Sequence, residues 1–338
     1  MNLIFTGGGT GGHLVIALSL AETARSRGHT VMFIGSTSGQ DRQWFANSTL
    51  FDEVHFLETT GVVNKSGFGK LAALWKVFKA LLKSRSLIRS FHADAVVSVG
   101  GFSAAPASMA AVVSGTPLYI HEQNAVTGKL NRLLRPYARA FFSSYEEGDN
   151  HCDYPVNPRY FENARIRSEV KTVIFLGGSQ GAKFINDLAL EIAPWLHDKG
   201  IHIIHQCGLK EEDRVRAAYH EFGIEAEVYG FTTQIAELCE RSDFAVSRSG
   251  ASTLWELCAA KIPAFFIPFP YAAADHQYHN ARYIIDHNAG WCERQSEGII
   301  LKLQEAIQSD IRAKSEALGK LIASNGAAHI IEKIEKDI

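Results

Sequence analysis

Two glycine-rich turns are the segments of this sequence best suited to bind a charged ligand. They lie at residues 7–12 (GGGTGG) and 177–182 (GGSQGA), and each follows a short apolar run and precedes a helical pattern. Such a turn leaves backbone N–H groups unpaired, admits a ligand close to the backbone and adds the positive end of a helix dipole. Phosphate or pyrophosphate is its usual ligand. The turns therefore predict phosphate chemistry, with a tight turn that binds nothing as the alternative for either one.

The neighbouring residues argue against three common kinds of site. The first turn matches G-x-G-x-x-G, but the acidic residue that a dinucleotide site needs at the end of the second strand does not occur before Asp41. Neither turn contains the G-K-S/T sequence of a P-loop. His276 and His279 could ligate a metal, but no third ligand accompanies them at a fitting spacing. We therefore expect neither a nicotinamide cofactor nor a metal.

Polar side chains follow several predicted strands at the point where each strand ends. His13 closes the first turn, residues 121–124 (HEQN) follow one strand, residues 248–253 (RSGAST) follow another, and residues 275–280 (DHQYHN) follow a third. In open α/β sheets, ligands bind at the carboxyl ends of the strands. Two sheets that face each other would bring these groups to one cleft.

Each of these polar groups also has a purely structural interpretation. Glu122 can pair within the fold, Arg248 can join a structural ion pair, and Asp275 or Asn280 can cap a helix. These alternatives stay open for the single residues.

The elements that must position these groups alternate between strand and helix along the whole chain. Apolar runs of four to six residues are separated by helical patterns such as residues 14–27 and 185–199. This alternation predicts βαβ units and two doubly wound parallel sheets, with helices on both faces. The segment 145–167, rich in Pro and Asn, reads as a linker, so we expect one domain at residues 1–155 and a second at 156–322. The predicted strands are 3–6, 30–34, 94–99, 117–121, 139–143, 172–176, 202–206, 226–229, 244–247 and 264–267.

Length and composition support two folded domains. The chain has 338 residues, of which 46% are hydrophobic and 21% charged, and this composition excludes a mainly disordered protein. The net charge of −2 argues against a nucleic-acid-binding protein. Five scattered cysteines without a C-x-x-C pair predict neither a disulfide framework nor a zinc ribbon, and favour a reducing cytoplasm. We expect no signal peptide and no transmembrane helix.

One stretch has a local charge that the overall count hides. Between Glu58 and Asp94 there are seven Lys or Arg residues and no acidic residue, with Trp75 and many aliphatic residues between them. This composition is typical of an amphipathic helix that lies in a membrane interface. The alternative is a helix that packs its apolar face on the sheet and exposes its basic side.

Six short segments together resemble the MurG family of bacterial peptidoglycan N-acetylglucosaminyltransferases. The resemblance extends from the first strand to about Asn280, and it implies a GT-B fold of two Rossmann-like domains, with the C-terminal helix at about 323–338 returning to the first. It also implies inverting transfer of GlcNAc from UDP-GlcNAc to the muramyl 4-hydroxyl of undecaprenyl-linked lipid I, giving lipid II. The segments occur in order at residues 8–13, 100–103, 121–124, 177–182, 248–251 and 275–277.

The resemblance also implies roles for single residues. His13 is the preferred general base, and Glu122 is the alternative. Ser179 and residues 251–253 would contact phosphate, the backbone near Thr232 the uracil, and Glu256 the ribose. The implied substrate-binding residues are Thr10, Gly11, Gly12, Asn124, Arg159, Ser179, Thr232, Arg248, Ala251, Ser252, Thr253, Glu256, Gln277 and Asn280.

The implied setting is the cytoplasmic face of the cell membrane, where the chain would attach peripherally to an anionic surface. No Asp-x-Asp triplet is present, and this agrees with transfer that needs no metal and no other cofactor. Arg159 stands one residue before the position of a phosphate-contacting Arg in many relatives. Two alternatives remain: another GT-B enzyme such as a UDP-GlcNAc 2-epimerase, and a nucleotide-sugar-binding protein without turnover.

Overall fold

The chain divides into two compact units, each built on one parallel sheet. The computed structural model describes residues 1–59, 67–178 and 181–338, with side chains in the helix that begins at Gly67 described from Trp75 onward. The first unit comprises Met1–Pro155 and Asn325–Ile338, and the second comprises Val156–Ser324. In the described ranges, no helix is long and apolar enough to cross a membrane.

The first unit holds a six-stranded sheet whose strands all run parallel, in the order β3-β2-β1-β4-β5-β6. This is the Rossmann order, with its reversal point between β1 and β4. The strands are β1 (Asn2–Thr6), β2 (Thr30–Ser36), β3 (Glu53–Leu57), β4 (Ala95–Ser98), β5 (Leu118–Glu122) and β6 (Ala140–Ser143). The helices are α1 (Gly11–Ser26), α2 (Asp41–Phe45), α3 (Gly67–Ser90), α4 (Ala105–Ser114), α5 (Lys129–Leu134) and the C-terminal α14 (Gly326–Asp337).

The C-terminal helix α14 belongs to the first unit because it packs on α1. Ile330, Ile331 and Ile334 are buried, and Glu335 binds both Arg27, at 2.6 Å, and His29, at 2.7 Å. An apolar face and an ion-pair cluster therefore hold the end of the chain on the first sheet's helical layer.

The second unit repeats the same sheet, in the order β12-β11-β10-β7-β8-β9, again with parallel strands. Counted from β7, this is the same strand order as in the first unit. The strands are β7 (Thr172–Leu176), β8 (His202–Gln206), β9 (Ala226–Tyr229), β10 (Phe244–Ser247), β11 (Ala264–Phe266) and β12 (Trp291–Cys292). The helices are α6 (Arg159–Glu162), α7 (Lys183–Asp198), α8 (Glu212–Glu221), α9 (Ile235–Glu240), α10 (Ala251–Ala259), α11 (His276–Asp286), α12 (Ile299–Gln308) and α13 (Arg312–Leu318).

The two doubly wound parallel sheets confirm the predicted fold class. All ten predicted strands are present, but β3 and β12 were missed. Both are edge strands: β3 (EVHFL) is only partly buried, and β12 has two residues. An edge strand needs fewer apolar residues than a central one, so its sequence signal is weaker.

Candidate functional site

A histidine held from two sides lies at the strand ends of the first unit. His13 is in the first turn of α1, and its Nδ1 lies 2.9 Å from the Thr10 hydroxyl. Its Nε2 lies 2.8 Å from Nε2 of Gln123, which directly follows β5. The imidazole is half-buried, and both ring nitrogens have a polar neighbour that fixes the orientation of the ring. Such a group is suited to take up a proton in a defined direction.

Glu122 organises the loop beside this histidine. Its carboxylate is 3% exposed and accepts three hydrogen bonds: from the Asn124 N–H at 3.0 Å, the Gly128 N–H at 2.8 Å and the Asn131 side-chain amide at 2.9 Å. A carboxylate with three donors stabilises the backbone turn that carries them. Glu122 thereby places Gln123 against His13.

The first glycine turn is partly filled by a side chain of the same unit. The Asp41 carboxylate, fully buried, accepts the Gly9 N–H at 2.5 Å and the Ser36 N–H at 2.8 Å. A Cβ on Gly8 would lie 2.5 Å from this carboxylate, so a side chain there would collide with it. The Asp41 carboxylate is therefore an internal acceptor for backbone N–H groups of the turn and of β2.

The second unit contains a cavity of about 190 Å³ at its strand ends. Its walls come from the ends of β7 and β8, the turn after β9, and the first turns of α6, α9 and α10. Thr232, Thr253 and Glu256, all three implied by the family resemblance, lie in its lining. The lining residues are Tyr160, Leu176, Gly178, Gln206, Phe231, Thr232, Ile235, Thr253 and Glu256.

Glu256 is the one carboxylate among the described residues that line this cavity. Burial raises the pKa of its carboxyl from 4.5 to about 7, while a hydrogen bond from the Tyr160 hydroxyl lowers that pKa. Burial disfavours the charged form, and a donor favours it. The carboxyl therefore loses its charge at a higher pH than an exposed glutamate, and its ionised form accepts hydrogen bonds.

Gln206 connects two turns beside the same cavity. Its side-chain amide donates to the carbonyl oxygens of Gly178 and Gly230, each at 3.2 Å. It thus links the second glycine turn to the turn after β9. Ser179 was expected to contact phosphate in this turn, and it lies outside the described residues.

A second polar group of the same unit lies beyond β10 and β11. The Arg248 guanidinium donates to the carbonyl oxygens of Ile267 at 3.0 Å and Pro268 at 3.1 Å, and burial lowers its pKa. It lies over the rings of Phe184 and Phe269. Arg248 therefore joins the end of β11 to the turn before α10.

Gln277 and Asn280, two of the implied substrate-binding residues, connect the neighbouring turns. The Gln277 side-chain oxygen accepts the Phe269 N–H at 2.9 Å, and the Ser249 hydroxyl donates to the Gln277 carbonyl at 2.8 Å. The buried Asn280 donates to the Ser249 carbonyl at 3.2 Å. These bonds hold the segments 248–253 and 275–280, which follow the neighbouring strands β10 and β11, against each other.

Arg159 lies apart from the cavity lining. Its side chain is 66% exposed and makes a 3.5 Å contact with Glu237. The next residue, Tyr160, lines the cavity instead. Across residues 1–59, 67–178 and 181–338, no cluster of metal-ligating side chains was found.

The residues of these sites that sequence reasoning missed include Gln123, Tyr160, Gln206 and Phe231. Gln123 is part of the HEQN segment, so its position was a usable signal. The other three belong to no recognisable motif: Tyr160 lies in α6, Gln206 ends β8 and Phe231 follows β9. Only the tertiary structure shows that they line one cavity with Glu256.

The two units match the two domains of one enzyme family. Residues 3–143 match the glycosyltransferase family 28 N-terminal domain, and residues 172–336 match its C-terminal domain. Among solved structures, MurG of Acinetobacter baumannii is 25% identical, with a TM-score of 0.81 over 99% of both chains. The Streptomyces glycosyltransferase SsfS6, at 14% identity and a TM-score of 0.67, shares the fold over 99% of both chains.

Curated relatives match over nearly the full length. Proteins named UDP-N-acetylglucosamine–N-acetylmuramyl-(pentapeptide) pyrophosphoryl-undecaprenol N-acetylglucosamine transferase are 52% identical in Sulfurimonas denitrificans and 49% identical in Wolinella succinogenes. Each match covers 99% of this chain, and 98% or 99% of the relative. The chain therefore belongs to the MurG family of family 28 glycosyltransferases.

Proposed function

We propose that this protein transfers GlcNAc from UDP-GlcNAc to the muramyl 4-hydroxyl of undecaprenyl-linked lipid I. The observation that carries the proposal is the cavity at the strand ends of the second unit, with Glu256 and Thr232 in its lining, in a chain whose full-length relatives carry this activity in their names. The bond between the sugar C1 and the UDP oxygen breaks, and a β-bond from C1 to the acceptor oxygen forms. UDP leaves, and the proton of the acceptor hydroxyl goes to a base.

The size and chemistry of the cavity fit the nucleoside part of the donor. At about 190 Å³ it is smaller than the roughly 300–1,000 Å³ of pockets that enclose a whole drug-sized ligand. Uracil would lie beside Phe231 and Thr232, and the ribose hydroxyls would donate to Glu256. The diphosphate would then reach the N-terminus of α10 at residues 251–253, where backbone N–H groups and the helix dipole stabilise the leaving anion.

The sugar would lie beyond the diphosphate, toward the segment that carries Gln277 and Asn280. Arg248 lies between this segment and the start of α10, and its half-buried positive charge favours a nearby anion. We propose that it acts on the diphosphate electrostatically, since its N–H groups also bind two backbone carbonyls.

His13 is the better candidate for the base. A neutral imidazole can accept a proton near pH 7, and Thr10 and Gln123 hold this ring. Glu122, by contrast, is buried and already accepts three hydrogen bonds. We propose that Glu122 positions the loop, and that Gly11, Gly12 and Asn124 face the acceptor.

The outer face of α3 supports attachment to an anionic membrane. Its inner face is buried through Leu87 and Ile88, whereas Trp75, Phe78 and Leu82 on the opposite face are 57%, 48% and 50% exposed. Lys79 and Lys83 are exposed beside them, and the Lys79 ammonium lies 5.4 Å from the Trp75 ring centre. Exposed apolar side chains bordered by lysines are typical of helices that bind a bilayer interface. We propose this face as the contact with the cytoplasmic surface of the membrane that carries lipid I.

The decisive test is UDP release from UDP-GlcNAc with and without a lipid I analogue. We expect release only with the acceptor, together with a GlcNAc-extended product. His13→Ala should lower kcat by about 10²–10⁴-fold and leave UDP affinity unchanged. Release without the acceptor, or an epimerised sugar, would favour a 2-epimerase. Tight UDP-GlcNAc binding without any product would favour a binding protein.

A further inference from the structure

Tyr160 lies in the cavity of the second unit without a role in the reaction described above. It is the second residue of the short helix α6, half-buried, and its hydroxyl hydrogen-bonds the Glu256 carboxylate. The neighbouring Arg159 is exposed and contacts Glu237. Tyr160 is therefore the residue of this segment that reaches the nucleoside region.

The hydrogen bond from Tyr160 fixes the direction in which the Glu256 carboxylate can accept further hydrogen bonds. A carboxylate offers about four acceptor positions on two oxygens, so one bond from a phenol leaves capacity for both ribose hydroxyls. The bond also restricts rotation of the Glu256 carboxylate before the nucleotide binds. Less conformational entropy is therefore lost on binding. A fixed acceptor presents its remaining lone pairs to the ligand in advance.

The bond also affects the charge of the carboxylate. Burial raises the pKa of Glu256 to about 7, and the Tyr160 hydroxyl opposes this rise because it stabilises the anion. The nearby ionisable groups include the Cys239 thiol and the Glu237 carboxylate on α9. Arg167 lies close to Cys239, and Arg159 contacts Glu237. Burial keeps the pKa of Cys239 far above neutral, so the thiol does not titrate in the same range.

We propose that Tyr160 is a donor-positioning residue that orients the Glu256 carboxylate toward the ribose hydroxyls, so that a tyrosine–glutamate pair reads the ribose of the nucleoside diphosphate. The inference rests on the proposed function, because it takes a uridine diphosphate as the ligand of this cavity. It goes further by assigning a residue and the part of the ligand on which that residue acts.

The test measures the affinity of the whole protein for UDP and for 2′-deoxy-UDP by calorimetry. Tyr160→Phe keeps the ring and removes the hydroxyl, and we expect it to weaken UDP binding about tenfold. For 2′-deoxy-UDP the same substitution should weaken binding by a smaller factor, about threefold, because only the 3′-hydroxyl remains for Glu256 to bind. Glu256→Gln should abolish the effect of the tyrosine substitution. Glu162→Gln, on the same helix and exposed, is the matched control and should bind UDP as the wild type does.

The pH dependence gives a second readout. UDP affinity of the wild type should fall as Glu256 becomes protonated below about pH 7. In Tyr160→Phe this fall should begin at a higher pH, since the anion has lost a donor. A general loss of packing would leave the pH of the fall unchanged.

Two results would overturn the inference. One is UDP binding by Tyr160→Phe within about twofold of the wild type, and the other is an equal loss of affinity for UDP and 2′-deoxy-UDP. Failure of the wild type to bind UDP would refute the proposed function itself, and the inference with it. If Tyr160→Phe unfolds, the ratio of UDP affinity to 2′-deoxy-UDP affinity is measured in Glu256→Gln instead. A ratio equal to that of the wild type would contradict recognition of the ribose by the tyrosine–glutamate pair.

Discussion

Replacement of Gln123 by Glu tests whether His13 is the base, because it changes the charge next to the imidazole with little change in shape. The side-chain nitrogen of Gln123 lies 2.8 Å from His13 Nε2, so a carboxylate oxygen would come to the same place. An opposite charge within about 4–6 Å stabilises the protonated imidazole and raises its pKa by roughly 1–3 units. Gln123 is only 8% exposed, so the new carboxyl also loses hydration, and this loss opposes its ionisation. We therefore expect the pKa of His13 to rise by about one unit, near the lower limit of this range.

Other ionisable groups near His13 do not mask this shift. His121 lies behind it on β5, fully buried, and burial lowers its pKa to about 3, so its ring stays neutral throughout the assay. Glu122 and Asp41 keep their donors in both proteins. Among these groups, the carboxylate introduced at residue 123 is then the one charge by which the variant differs from the wild type.

The assay measures UDP release with a lipid I analogue as the acceptor, and it gives kcat/KM as a function of pH. In Gln123→Glu the pH below which kcat/KM falls should rise by about one unit, so that the rate at a fixed pH below this limb is about tenfold lower. Gln123→Met is the control: it has similar length and no charge, and it should lower kcat/KM while moving the limb by much less than the new carboxylate does. A limb that moves by less than about 0.3 unit in Gln123→Glu would refute His13 as the base.

Three further predictions concern stability and membrane binding. Burial lowers the pKa of His205 to about 3, against about 6.5 in the unfolded chain, so its neutral form stabilises the fold above pH 6.5 and this stability is lost as the pH falls from 6.5 toward 3. At pH 5 the loss is about 2 kcal/mol (1.5 units at about 1.36 kcal/mol each), and urea unfolding of His205→Gln should show a correspondingly weaker pH dependence; an unchanged dependence would contradict this. Gly101→Ala should cost more than about 3 kcal/mol, because its Cβ would lie 2.2 Å from a carbonyl oxygen of the first glycine turn, whereas Gly115→Ala, also at positive φ but with no atom within 4 Å, should cost only about 1–2 kcal/mol; equal melting temperatures would argue against this steric account. Lys79→Glu with Lys83→Glu should weaken binding to anionic vesicles by about 1 kcal/mol or more per residue, and salt should weaken wild-type binding; equal binding to neutral and anionic vesicles would exclude the electrostatic contribution.

The sequence by itself determined the architecture of both units. Central strands of parallel sheets are buried on both faces, so β1 and β7 appear as continuous apolar runs, and the glycine turns that follow them mark the starts of α1 and α7. The order of the six short segments identified the family. These signals are local, and they survive without knowledge of any long-range contact.

The tertiary structure alone decided which side chains meet. Asp41 fills the first glycine turn from 32 residues away, Gln123 reaches His13 across 110 residues, and Tyr160 joins Glu256 from another part of the second unit. Arg159 and Tyr160 are adjacent in sequence, yet successive residues of a helix point about 100° apart, so one is exposed and the other lines the cavity. Spacing along the chain predicts the elements and the edge of the sheet at which polar groups collect. The pairings at that edge depend on crossovers and side-chain directions, because residues far apart in sequence become neighbours only when the sheet is assembled.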